Sequence, residues 1–171
     1  MFHGARQATD QDVHQFCETI RGNSMQLRPA TSSDAIALWY WRNDPETRQA
    51  SRNTEPVSWT NHVDWLSATL ANKGVKLLVA EQDGKPLGTV RFDAADGGHE
   101  ISWTVAPDSR RQGVATEMVA RAIEQNPGEL FADIKPGNTA SQVVAARNGF
   151  VRDGDHDMFQ RWRWKMTPEW V

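Results

Sequence analysis

Arg110-Arg111-Gln112-Gly113-Val114-Ala115 puts two cations, a glycine and a small residue at what reads as a helix start. It follows a Pro-Asp-Ser turn and the apolar run Ile101-Ser102-Trp103-Thr104-Val105. The chemistry open to such a segment is anion binding. Amide hydrogens in the first turn of a helix lack intrahelical partners, and the aligned peptide dipoles favour negative charge there. A phosphate can collect several of those donors. Gly113 allows close approach to the backbone, Ala115 keeps the first turn uncrowded, and Arg110 and Arg111 offer charge-assisted donors. Taken alone, the segment is also compatible with an ordinary helix start whose arginines face solvent.

The elements that must hold this segment can be read from periodicity and breakers. Met25 to Arg28 alternates and is closed by Pro29; Ser32, Ser33 and Asp34 then offer caps for a helix carrying Ile36, Leu38, Trp39 and Trp41. Asp44-Pro45 breaks that helix, and Pro45 opens a further turn through Arg48. Thr60 or Asn61 is expected to cap a helix with Val63, Trp65, Leu66 and Leu70, ending near Lys73-Gly74. Three strands are expected over Val75 to Glu81, Leu87 to Phe92 and His99 to Val105, with a hairpin signal at Asp83-Gly84. A helix over Thr116 to Gln125 turns Met118, Val119, Ala122 and Ile123 to the sheet. Leu130 to Ile134 is a strand, Asn138 caps a helix through Arg147, and Asn148-Gly149 leads into Phe150-Val151. Met158 to Met166 is the last strand, with Arg161 and Arg163 expected on a solvated face and Trp162 and Trp164 on the core face. The outcome is an α/β (α+β) domain with a mixed sheet over residues 25–171. Residues 1–24 form an extension in which Val13, Phe16, Cys17 and Ile20 share one face of a short helix.

Composition narrows the class. A chain of 171 residues can bury a sizeable core without disulfides, and the single Cys17 excludes an internal disulfide and any cysteine-rich metal site. The formal net charge of -3 argues against nucleic-acid binding, while leaving room for a small anionic ligand held by local amides and arginines. No apolar run is long enough to span a bilayer, and the N-terminus lacks a signal-peptide core, so a cytoplasmic protein without membrane contact is expected. The chain is expected to be a monomer or homodimer.

With these elements in order, the sequence resembles the GNAT superfamily of acyl-coenzyme A-dependent N-acyltransferases. The family hallmark of Gln or Arg, two residues, Gly, one residue and Gly or Ala stands here as Arg110 to Ala115. The resemblance runs from Gln26 to about Lys165 and includes His99-Glu100-Ile101-Ser102-Trp103-Thr104-Val105-Ala106-Pro107, Asn138-Thr139-Ala140-Ser141 and Arg147-Asn148-Gly149-Phe150. It implies the GNAT fold, with about seven strands, about four helices and the short N-terminal helix. It also implies acetyl-coenzyme A as cofactor, with the pyrophosphate on the amides of residues 111 to 116, a run that takes in Gln112, Val114 and Thr116. The pantetheine arm would lie beside Trp103, Thr104 and Val105, where the central strands separate, with Asn138 on its flank.

Acyl transfer from a thioester to an amine needs a free amine, donors for the developing oxyanion and a proton for the leaving thiolate. Glu100, which matches the position of the general base in several family members, is the candidate for the first task; the alternative is a solvent-facing strand glutamate. Val105 N–H is the preferred oxyanion donor. The tyrosine that many members carry four residues before the late glycine is Ala145 here, and Tyr40 is the only tyrosine. Ser141 is the expected substitute, since Asn138-Thr139-Ala140-Ser141 resembles the pattern of the ribosomal-protein-type branch.

The acceptor side is read from the early helices. Trp41-Arg42-Asn43-Asp44-Pro45, with Arg48 and later His62, resembles the amino-sugar N-acetyltransferases of pseudaminic-acid-type nucleotide-sugar pathways. Arginines can hold a diphosphate and aromatic faces can stack on a base or sugar; core tryptophans with rim arginines are the other reading. His62 is expected either to touch substrate or to dock its helix. A lone histidine without clustered carboxylates or thiols gives no metal site. A nucleotide-linked amino sugar, a peptide or protein N-terminus and a small amine all remain open as acceptors, and a non-catalytic acyl-coenzyme A-binding module is the reading outside enzymes.

Overall fold

The computed structural model describes Thr9, Gln11 and residues 24–165 except Pro127; the expected N-terminal helix and Met166 lie outside the described residues. The elements run β1 (Gln26–Pro29), α1 (Ala35–Asn43), α2 (Pro45–Ala50), α3 (Trp59–Ala71), β2 (Val75–Gln82), β3 (Lys85–Ala95), β4 (Gly98–Val105), α4 (Val114–Glu124), β5 (Leu130–Ile134), α5 (Thr139–Arg147), β6 (Val151–His156) and β7 (Phe159–Trp164). The strands form one seven-stranded sheet in the order β1-β2-β3-β4-β5-β7-β6. Only β4 and β5 are parallel, as a strand-helix-strand unit requires. Asp83 and Gly84 take φ values of +52° and +75° in the β2–β3 hairpin, the paired left-handed geometry that an Asp-Gly turn supplies.

Each sheet face has its own core. On one, Met118, Val119 and Ala122 of α4 are completely buried against Leu78, Val90, Phe92, Ile101 and Leu130. On the other, Leu38 and Trp41 of α1 and Leu66 of α3 pack on Leu77 and Val79 of β2. A completely buried aliphatic side chain stabilises the fold by roughly 1.5–3 kcal/mol, so α4 is fixed more firmly than any capping interaction could fix it. Trp162 and Trp164 pack on the α4 face as expected.

Several expectations shift. Helix α3 is capped by Ser58, whose hydroxyl accepts from the Asn61 amide, rather than by Thr60 or Asn61. Its buried residues are His62, Leu66 and Thr69, while Val63, Trp65 and Leu70 stay largely exposed, so the helix is rotated from the face its apolar residues suggested. Helix α4 starts at Val114, with Gly113 as its N-cap. The turn after Pro45 becomes a six-residue helix because Asp44 caps it, accepting from Thr47 N at 3.1 Å. Arg161 is not on a solvated face; it is mostly buried, bidentate to Asp133 at 2.8 Å and stacked over the Phe131 ring.

Candidate active site

The ladder between β4 and β5 stops after two pairs, His99↔Leu130 and Glu100↔Phe131. Beyond Glu100 the two strands diverge, and the gap opens into a cleft of about 1080 Å³. Backbone direction alternates along a strand. His99 N bonds Glu129 O on the β5 side, and Ala106 N bonds Leu87 O on the β3 side. By that alternation the Trp103 and Val105 amides point into the gap. Gly88 lies opposite Val105, and a Cβ there would sit 2.4 Å from Thr104 O and 3.3 Å from Met118 Sδ. Only glycine lets β3 hold the end of β4 this closely.

The cofactor loop closes one end of the cleft. Gly113 has φ +80°, and Arg111 has φ +59°, a left-handed conformation that costs a side-chain-bearing residue about 1–2 kcal/mol. Alternating backbone hands of this kind turn successive N–H groups to one side, making an anion-binding concavity. No atom lies within 4 Å of a Cβ placed on Gly113, so the approach to the helix start is open. Ser109, buried beside the loop and lining the cleft, has a hydroxyl with no hydrogen-bond partner. These features fit the pyrophosphate of coenzyme A.

The expected residues divide. Trp103, Thr104, Val105, Arg110, Arg111, Gly113, Val114, Ala115, Thr116, Asn138 and Ser141 all line the cleft, whereas Gln112 turns away to donate to Asp108 O. Arg110 lines the cleft too, but its guanidinium is engaged by Asp44 at 2.6 Å, Thr47 Oγ1 at 2.8 Å and Glu46 at 3.1 Å. Burial would raise the Asp44 carboxyl, yet the Arg110 hydrogen bond and the Thr47 amide outweigh it and hold it below its ordinary value. Asn138 Oδ1 caps α5 by accepting from Ser141 N at 3.1 Å. The Ser141 hydroxyl is thereby placed in the first turn of a helix that faces the gap. Tyr40 is exposed on the outer side of α1.

On the acceptor side, Trp41, Arg42 and His62 reach the cleft wall; Asn43 and Arg48 do not. Trp41 is chiefly core. Asn43 fastens the following loop, accepting from Val57 N at 2.8 Å and donating to Val57 O at 3.0 Å. His62 is buried, with Nε2 2.9 Å from Ala35 O. A carbonyl can only accept, so Nε2 carries the proton and the ring docks α3 on α1. Burial lowers its pKa, with the carbonyl bond partly opposing.

Residues the sequence reading missed surround Glu100. Arg52 Nη2 reaches Glu100 Oε1 at 2.8 Å and Asp133 Oδ2 at 3.1 Å, and its guanidinium lies over the Phe159 ring. The Asp133 side chain is only 1% exposed. Burial would raise its carboxyl, but hydrogen bonds from Arg161 and Arg52 outweigh that and keep it low. Across β3, Arg91 pairs with Asp93 at 2.6 Å, and Asp93 is the register partner of Glu100. The signal available in the sequence was alternation: Arg91, Asp93, Glu100, Asp133 and Arg161 are polar residues on one face of interior strands, an expensive placement unless they pair.

A family model described as an acetyltransferase (GNAT) domain matches residues 24–151. A search of curated protein sequences gives no match. Among solved structures, the chain is similar to aminoglycoside acetyltransferase AAC(6')-Ib in complex with coenzyme A, at 20% identity and a TM-score of 0.71 over 84% of this chain and 95% of that one. It is similar to spermidine N-acetyltransferase from Vibrio cholerae in complex with coenzyme A and spermine, at 16% identity and a TM-score of 0.70 over 81% and 92%. A ribosomal-protein-alanine N-acetyltransferase from Brucella melitensis matches at 26% identity and a TM-score of 0.66 over 81% and 98%. With separated central strands, an amide-lined helix start and a family match across most of its length, the chain belongs to the GNAT acetyltransferases and is an acetyl-coenzyme A-dependent N-acetyltransferase.

Proposed function

We propose that the acceptor is a primary amine on a molecule that also carries phosphate, of the nucleotide-linked amino-sugar class, and that it reacts by direct attack in a ternary complex. The observation that carries this reading is the charge left over at the acceptor wall. Asp93, Glu100 and Asp133 each already hold an arginine. Among the described residues Arg42 has no carboxylate partner: its Nη2 donates to Asn53 O, and its Nη1 is buried without a partner, as is Nε of Arg48, which does not line the cleft. Burial and the charge of Arg48 both lower the Arg42 pKa. An anionic group beside Arg42 would offset that repulsion.

In this reading Glu100 takes the proton from the acceptor ammonium. Arg52 fixes one carboxylate oxygen and leaves the other for the amine. When bound, acetyl-coenzyme A supplies the acetyl group as a thioester. Val105 N–H is the donor for the developing charge on the carbonyl oxygen, and Ser141 Oγ the proton source for the departing sulfur.

A second reading has one observation in its favour: Asp93 and Asp133 flank Glu100, a group of carboxylates that a polycationic amine or a peptide N-terminus would want. Thiol release from acetyl-coenzyme A, measured with a nucleotide-linked 4-amino sugar, an aminoglycoside, spermidine and a basic peptide, separates the two. Acceptor-dependent release with the nucleotide sugar is expected. Release with the peptide or a polyamine, and none with the sugar, would sink the phosphate-bearing acceptor.

A further inference from the structure

The short segment between the two acceptor helices is fastened at both ends to opposite ends of the cleft. At its start, Asp44 caps α2 and also holds Arg110 of the cofactor loop, with Thr47 and Glu46 adding to the grip. At its end, Gln49 O accepts from Lys135 Nζ at 2.9 Å, and Arg52 bridges Glu100 of β4 and Asp133 of β5. Between these points lies α2, its first turn beside the contact with Arg110 and its last residues beside the contacts with β4 and β5.

We infer that Pro45–Asn53 is a strap that couples occupation of the cofactor loop to the placement of Glu100, and that Arg110 is a positioning residue at its cofactor end rather than a ligand of the pyrophosphate. The inference rests on coenzyme A seating on the helix start. Three features of the geometry carry it. The Arg110 guanidinium is mostly buried and already satisfied by two carboxylates and a hydroxyl, so it has little left for an anion. Asp44 is similarly covered, which makes this a strong contact and not a loose rim pair. And the chain from Asp44 to Arg52 is one capped helix, Pro45–Ala50, followed directly by the residue that holds the candidate base. When the loop amides close on an anion, the strap loses freedom at its near end, and the Arg52–Glu100 contact is fixed with it.

The test uses the full chain and coenzyme A itself. Coenzyme A affinity by titration calorimetry and hydrogen exchange of peptides spanning residues 45–53 are measured for the unmodified protein, Arg110→Gln and Asp44→Asn. Asparagine keeps the helix cap, so Asp44→Asn removes the ion pair while leaving α2 able to form. Expected is at least a threefold slowing of exchange across the strap on adding coenzyme A. Both substitutions should abolish that slowing while changing coenzyme A affinity by less than threefold. A tenfold or greater loss of affinity in Arg110→Gln, or tighter binding in Asp44→Asn as the guanidinium is released, would make Arg110 a pyrophosphate ligand and overturn the inference. So would strap exchange that ignores coenzyme A in the unmodified protein. If the unmodified protein binds no coenzyme A at all, the cofactor site itself is wrong and the strap falls with it.

Discussion

Glu100 is half-buried, held by Arg52 on one oxygen, and set at the last residue pair before β4 and β5 part. A carboxylate in that place can take a proton from an amine entering the gap, and Glu100→Gln keeps its shape while removing that capacity. The expected result is a fall in kcat of about 10²–10⁴-fold with coenzyme A affinity unchanged; full turnover at every pH would end the assignment. His62 gives a prediction of a different kind. Its folded pKa lies below the ordinary 6.5 because the ring is buried, so the unfolded chain takes up the proton first. Its contribution to stability is therefore fully present above about pH 6.5 and declines as pH falls from there toward the folded value. Thermal melts should drop between pH 7.5 and 5.5, and His62→Gln should flatten that part of the profile. Retention of the whole slope would place its origin elsewhere. The depressed carboxyls of Asp44 and Asp133 act in a separate window, losing their contribution only below about pH 4. The sequence offered His62 as either a ligand or a helix anchor, and nothing in its spacing separated the two; the bond to the Ala35 carbonyl, 27 residues away along the chain, gives it the anchoring contact, while the ring also reaches the cleft wall.

At the level of elements, β3 and β4 are held close by one missing side chain. Gly88→Ala would drive a methyl against Thr104 O and the Met118 thioether. Overpacking of this kind costs typically 1–3 kcal/mol, and here it acts on the strand whose Val105 amide faces the cleft. Expected is a lower melting temperature together with weaker coenzyme A binding; an unchanged melt would mean that the strands can part without cost. Which elements exist was legible, because capping residues, Pro45 and the Asp83-Gly84 turn speak through local chemistry. The rotation of α3 was not. Val63, Trp65 and Leu70 outnumber Leu66 as apolar markers, yet the buried face is set by where α1 and β2 lie, and that is long-range information. The same holds for Arg161, whose alternation with tryptophans looked like a wet face until Asp133 was seen to meet it from the neighbouring strand.

For the whole molecule, the anion-binding helix start was readable because its chemistry is carried by consecutive residues: backbone amides, a glycine and a small side chain in one turn. The acceptor end was not, since Arg52, Arg91, Asp93, Asp133 and Phe159 come from one loop and three separate strands and meet only in the folded sheet. Arg110 shows the limit within the motif itself. Its position in the hexapeptide suggested an anion ligand, and its guanidinium is occupied by partners more than sixty residues away. The separation of β4 from β5 has a further consequence. Past Glu100, β4 is an edge strand, although it stands fourth of seven in the sheet. An exposed edge is a template for pairing with other chains, and proteins usually blunt such edges with charge or cover. Here the unpaired edge is turned inward, flanked by the helices of both faces, so a strand with free amides can be kept at the heart of the molecule without becoming a site of self-association.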